Sequence, residues 1–237
     1  MSASRGSVEY GKEKISFAVV YADRKTLEIA VHPDSTVVVK APRGTLLEDI
    51  RKRVAKRALW IRRQIAHFRK FEPHTPARRY VGGETHLYLG RQYRLKIKKQ
   101  RTEEVKLKGA YFYVITPDPD NTQKVKNLLE EWYKVHARRI FSQRLEECYL
   151  RAKKLNVPFP DIRLRKMSKR WGSCSKSGHI LLNAALVKAS VYCIDYVIMH
   201  ELCHLKVHTH NNGYFKLLSK YMPDWEKRKE RLERILV

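Results

Sequence analysis

The apolar run Cys193-Ile-Asp-Tyr-Val-Ile-Met199 leads without a break into His200-Glu-Leu-Cys-His204, and this combination constrains the fold more than any other part of the chain. A helix that is apolar on most sides is buried, and Glu and His inside a core are costly unless something pairs with them. Residues four apart on a helix differ by about 40° around its axis, so His200 and His204 project from one face. That is the spacing a single metal ion requires, and Glu201 between them is placed to act on water at that ion. His210, six positions on, can supply a third ligand if the chain bends back after the helix; His208 is a rival at shorter reach. Three protein ligands and one open position describe a catalytic zinc site, whereas a structural zinc is closed by four.

With 237 residues, 43% of them hydrophobic, the chain can bury a proper core and has room for two modules. No run approaches the length of a membrane-spanning helix, and the polar opening residues carry no apolar secretory stretch. The four cysteines, Cys148, Cys174, Cys193 and Cys203, form no CxxC pair, and one lies inside the metal motif. A reduced, cytoplasmic protein is therefore expected. Fifty basic side chains against twenty-four acidic ones leave a formal charge of +26. Clusters such as Arg51-Lys-Arg53, Lys56-Arg57, Arg62-Arg63 and Arg163 to Arg170 would attract polyanions, nucleic acid among them. They equally suit a solvated basic surface, since they are spread along the chain and form no single nucleic-acid module.

The periodicities predict an α+β protein in two parts. Short β-branched runs at Ile15–Val20, Thr26–Val31 and Thr36–Lys40 predict strands. Thr45 with Glu48 forms a capping-box pattern, opening one basic amphipathic helix to about Phe71, ended by Pro73 and Pro76. A second β segment covers Thr85–Leu89, Tyr93–Ile97, Val105–Leu107 and Tyr111–Ile115. The Pro- and Asp-rich stretch Thr116–Asn121 suggests a linker. The expected domains are thus 1–118, a mainly antiparallel β module with its basic helix, and 119–237, a catalytic domain. The latter would hold a long helix over 122–155, strands at Ile162–Met167 and His179–Leu182 around the loop Trp171–Gly178, the motif helix over 191–207 and two closing helices. No internal repeat is evident in the sequence.

The strings WGSCSKSGHILLNAALVKA from Trp171 and IDYVIMHELCHLKVHTHNNGYFKLLSKYMPDW from Ile194 closely resemble the YgjP-like metallopeptidase family, related at the motif level to SprT-like proteases. GGETHLYLGRQYRLKI from Gly82 and LLEEWYKVHARRIFSQRL from Leu128 resemble that family's β segment and long helix. The resemblance implies a zincin-like fold and a cytoplasmic metal-dependent hydrolase. It implies one zinc ion held by His200, His204 and His210, with Glu201 as catalytic acid and base. Metzincins share the His spacing but carry Gly where this chain has Val207, so that superfamily is not implied.

Other positions admit two readings. Trp171, Gly172 and Ser173, preceded by Arg170, either line the substrate cleft, as the resemblance favours, or form a structural turn. Glycine there would permit close approach of another chain, and such proteases bind extended substrate along a strand edge. Tyr196, one turn before His200, contacts the site or packs in the core. Asp195 either orients a ligand histidine or is an acid favoured by the helix dipole. Cys174 and Cys203 are expected to be structural thiols. The expected function is a zinc-dependent peptidase or amidase, in which metal-activated water attacks a carbonyl and Glu201 moves the proton. Two alternatives remain: a nucleoside triphosphate (phosphoanhydride) hydrolase favoured by Arg163, Arg165, Lys166, Lys169 and Arg170, and a protease docked on nucleic acid.

Overall fold

The computed structural model describes residues 4–236 except 12, 33, 70–77, 168–169 and 176. They form two compact units, Met1–Pro76 and Ala77–Leu236. The division therefore precedes the second β segment and does not fall at 118. The Thr116–Asn121 stretch is a turn inside the second unit: the Asn121 side chain accepts from the Lys124 N–H at 3.0 Å and caps the long helix. Its Pro and Asp content marks that helix entry, not a linker.

The first unit begins with strands β1 (Ser4–Tyr10), β2 (Glu13–Ala22), β3 (Glu28–Val31) and β4 (Val37–Pro42), in sheet order β1-β2-β4-β3. Alternation places Ile15, Phe17, Val19, Val37, Val39 and Ala41 on one buried face. Helices α1 (Leu47–Lys56) and α2 (Ala58–Arg69) cover that face through Ile50, Val54, Ala58 and Ile61. The single expected helix is thus two, interrupted at Arg57 (φ −103°, ψ 6°). The apolar stripe runs through the break unchanged, which is why periodicity does not reveal it. The capping box does not form either: the Thr45 hydroxyl donates to the Pro42 carbonyl at 2.9 Å, and Leu46 is the N-cap residue. Pro73, His74 and Pro76, and the side chains of His67 and Phe68, lie outside the described residues.

In the second unit, β5 (Thr85–Tyr88), β6 (Arg91–Lys99), β7 (Glu104–Lys108) and β8 (Tyr111–Thr116) form a sheet of order β5-β6-β8-β7. Neither large sheet is wholly antiparallel. β2 runs parallel to β4 and β6 parallel to β8, because β3 and β7 each pair antiparallel with the strand that follows and send it back beside its predecessor. Helix α3 (Thr122–Arg151) lays Leu129 and Tyr133 against Leu95, Phe112 and Val114, while its later turns bury Phe141, Leu145 and Cys148. A third sheet, of order β10-β11-β9, joins β9 (Asp161–Leu164), β10 (Gly172–Cys174) and β11 (His179–Leu182). Part of the expected Trp171–Gly178 loop is therefore an edge strand. Helices α4 (Val191–His204), α5 (Asn212–Tyr221) and α6 (Trp225–Leu236) complete the unit. The hairpin between β5 and β6 turns at Leu89 and Gly90, both with positive φ. Their N–H groups donate to Val187 and Lys188 carbonyls just before α4, tying the sheet to the start of the motif helix.

Candidate metal centre

Helix α4 is buried along nearly its whole length, as its composition requires. Polar contacts fix its register on three sides. Asp195 accepts from Arg144 Nε and Nη2, both at 2.7 Å, and from Arg151 at 3.2 Å, so it binds α3 and does not serve a ligand histidine. Arg228 of α6 donates to the Tyr192 carbonyl at 3.1 Å. Tyr214 of α5 donates its hydroxyl to the His200 carbonyl at 3.2 Å and stacks on the His204 ring, 4.4 Å between centroids.

The chain turns back after His204 and brings His210 to the same point. The three Nε2 atoms stand 3.2 Å (His200–His204), 3.0 Å (His204–His210) and 3.1 Å (His200–His210) apart. Among the described residues these three form the one group of metal-ligand spacing; His208 lines the cleft but is not in it. His204 Nδ1 faces the Val207 carbonyl at 3.0 Å. That carbonyl takes the ring proton and leaves Nε2 a free lone pair. Val207 has no left-handed backbone, so the turn proceeds without the metzincin glycine. Burial first, and then the neighbouring imidazoles, hold His200 down to about 3, and burial also lowers His204. Neutral imidazoles whose lone pairs converge repel one another, and a cation relieves that. Three nitrogens at ~2.0–2.1 Å from a tetrahedral ion would stand ~3.3 Å apart, close to the observed triangle. The donor set fits a divalent metal.

Glu201 is 4% exposed, and burial pushes its carboxyl up to about 8 against the opposing pull of Arg170 and the Cys174 N–H. It lies directly against β10: a Cβ on Gly172 would come within 2.6 Å of Glu201 Oε1. The close approach expected at that glycine is thus made by the carboxylate. Arg170, Trp171, Gly172, Ser173 and Tyr196 all border the same cleft of about 640 Å³ as the histidines and Glu201.

Three contributors had no sequence signal beyond ordinary core character. Val197 and, from α6, Leu232 line the cleft. Buried Asn183 donates to the Met167 and Arg170 carbonyls at 2.7 and 3.3 Å, holding the chain that leads into β10. The basic residues expected to favour an anionic substrate divide. Among those described, only Arg170 faces the cleft, and Lys169 lies outside the described residues. Arg163 pairs with Asp161 at 2.9 Å, while Arg165 and Lys166 line a separate cavity against α3. Burial pushes Cys174 up to about 11 and Cys203 up to about 12, so neither is a thiolate nucleophile near neutrality.

Three converging imidazoles beside a buried carboxylate are the equipment of metal-dependent hydrolases. Comparison with family models gives that class a narrower name: residues 25–235 match the YgjP-like metallopeptidase domain, and the chain belongs to this family. It is a metal-dependent hydrolase of the peptidase class, and the class implies a divalent ion. Two solved structures are similar over part of the chain. The metallopeptidase zymogen abylysin of Pyrococcus abyssi is 26% identical, with TM-score 0.36, over 40% of this chain and 91% of its own. The zymogen jannalysin of Methanocaldococcus jannaschii is 22% identical, with TM-score 0.35, over 41% and 90% respectively. No protein of curated function matches.

Proposed function

We propose that the chain is a zinc-dependent peptidase or amidase with one ion on Nε2 of His200, His204 and His210 and with Glu201 as general base. The observation that carries this reading is the Nε2 triangle, 3.0–3.2 Å on a side, next to a buried carboxylate. An all-imidazole donor set suits zinc. When bound, the ion lowers the pKa of water at the site toward ~7 and polarises a carbonyl oxygen.

Glu201 takes the water's proton on its carboxylate and returns it to the leaving nitrogen. Burial raises its proton affinity, and the Cys174 N–H and Arg170 keep that rise in check. Burial also keeps the Tyr196 phenol protonated, so what it offers substrate is a donor. β10 is the edge strand of its sheet, and an extended peptide added there would pass Gly172 and Ser173 on its way across the cleft. The buried α4 beside this edge strand supports a zincin-like reading of the fold. Four unbridged cysteines support a reducing, cytoplasmic setting; among the described residues no helix is long and apolar enough to cross a membrane.

Screening casein, blocked peptides and nucleoside triphosphates side by side, with zinc-loaded protein and its Glu201→Gln variant, tests the reading. Peptide turnover that the variant lacks supports it. Turnover confined to triphosphates would replace it with the phosphoanhydride alternative.

A further inference from the structure

The first unit carries a second surface, unrelated to the metal centre. Arg53, Lys56, Arg57 and Trp60 recur at the i, i+3, i+4, i+7 positions of one helical stripe, beside the buried stripe of Ile50, Val54, Ala58 and Ile61. With Leu27 and Ile29 they line a groove of about 400 Å³. Trp60 is 39% exposed, unusual for a large aromatic that could have joined the core. Among the described residues no other ring or cation stacks on it, and no carboxylate pairs with Arg53, Lys56 or Arg57. The paired cations stand elsewhere: Arg62 reaches Glu13 at 2.8 Å and Lys52 reaches Glu48 at 3.4 Å. Glu28, between the two apolar floor residues, belongs to the opposite face of β3 by alternation and meets Arg24 at 2.9 Å.

We infer that this groove binds single-stranded nucleic acid, one unpaired base stacking on Trp60 while Arg53, Lys56 and Arg57 hold the flanking phosphates. Three uncompensated cations on one stripe repel one another, and a polyanion removes that repulsion. The exposed indole and the apolar floor select for an unpaired base, since the bases of a duplex present no free face. A simple polyanion would leave both unused.

The test uses the full chain and a labelled short oligothymidine, followed by fluorescence anisotropy, with the matching duplex and heparin as competitors. The single strand should bind more tightly than the duplex. Trp60→Ala should weaken it tenfold or more, and Trp60→Phe should recover most of the loss. Neutralising Arg53, Lys56 and Arg57 to Gln should flatten the log–log salt slope by about 2, at ~0.7 per phosphate contact on single strands. Arg62→Gln, whose cation already has a partner, should change the slope little. Circular dichroism checks folding; should Trp60→Ala not fold, Trp60→Phe and the triple variant still decide. Equal affinity for single strand and duplex, or a Trp60→Ala variant that binds like the parent, would overturn the inference and leave a solvated basic face.

Discussion

Replacing Gly172 by Ala should separate the position of Glu201 from its presence. An added Cβ would stand 2.6 Å from Glu201 Oε1, 2.9 Å from Cγ and 3.0 Å from Cδ. Ordinary contact begins near 3.4 Å, so the carboxylate must retreat by roughly 0.8 Å. Because Cγ is struck as well, turning the terminal torsion alone does not relieve the overlap. α4 is packed on three sides and β10 is held through Asn183, so the side chain is what yields. A displacement of about 1 Å in a catalytic group costs on the order of 10² in rate, or about 2.7 kcal/mol of barrier. Stability should change little: Gly172 has no left-handed backbone, and Ala is favoured over Gly in a strand by roughly 0.5–1 kcal/mol, which offsets part of the strain. Peptide turnover, zinc content and thermal unfolding, measured on one preparation, give the readout. Expected are kcat down about 10², zinc unchanged and Tm within a few degrees. Adding Gly172→Ala to Glu201→Gln should cost almost nothing further, since both act on one group. Unchanged kcat, or loss of zinc with the histidines intact, would refute the coupling of Gly172 to Glu201.

Metal analysis should show His210→Ala losing the ion and His208→Ala keeping it, because His210 alone of the two completes the Nε2 cluster. Glu201→Gln should retain metal and fold while turnover falls by 10² or more; loss of metal would make Glu201 a ligand. Asp195→Ala should lower urea-unfolding stability by about 2 kcal/mol, since the largely buried Arg144 loses its two-pronged partner and keeps only Glu147, whereas Arg151→Ala should cost under about 1 kcal/mol. In metal-free protein Glu201 sits at about 8 when folded against 4.5 as its ordinary value. The folded carboxyl then holds more protons than the unfolded one across that window, so its contribution to stability should fall as pH rises from 4.5 through 8, opposed below 6.5 by His200, which is held at about 3. The upper part of that fall, above the ordinary 6.5 of histidine, should vanish in Glu201→Gln, and its persistence there would assign it to another group.

The candidate metal centre is legible in the sequence because its parts are local. His200, Glu201 and His204 lie on one helical turn, His210 follows within two further turns of chain, and the apolar run before them announces burial. What sequence order leaves open are the contacts between distant segments. Gly172 and Glu201 meet although they stand 29 positions apart, and nothing near Gly172 states which group approaches it. Leu232 has the spacing of any packed helix residue, yet it lines the cleft. β10 is three residues long, too short for alternation to register, and it exists because β11 pairs with it. Asp195 illustrates the same limit: its place beside the motif suggested a role toward a histidine, but the two arginines that claim it come from α3, 44 and 51 residues earlier.

The division into units is hidden from the sequence for a related reason: the two units repeat one architecture that the residues do not reveal. β1 to β4 and β5 to β8 share one strand order and one pattern of senses: antiparallel, parallel, antiparallel across each sheet. Each sheet is followed by a helix that covers its apolar face, α1 with α2 in the first unit and α3 in the second. A boundary at 118 would cut the second copy between its sheet and its helix, stranding Phe112, Val114 and Leu95 without Leu129 and Tyr133. Sharing an architecture does not make the two copies equivalent. In α3 the helix continues past its sheet and buries Phe141, Leu145 and Cys148 in the core it shares with α4, so the second copy serves as scaffold for that helix. In the first unit the helical layer breaks at Arg57 and turns Arg53, Lys56 and Trp60 outward. One arrangement of strands thus supports a buried helix face in one unit and an exposed basic and aromatic face in the other. The difference lies in which side chains follow the sheet, not in the sheet itself.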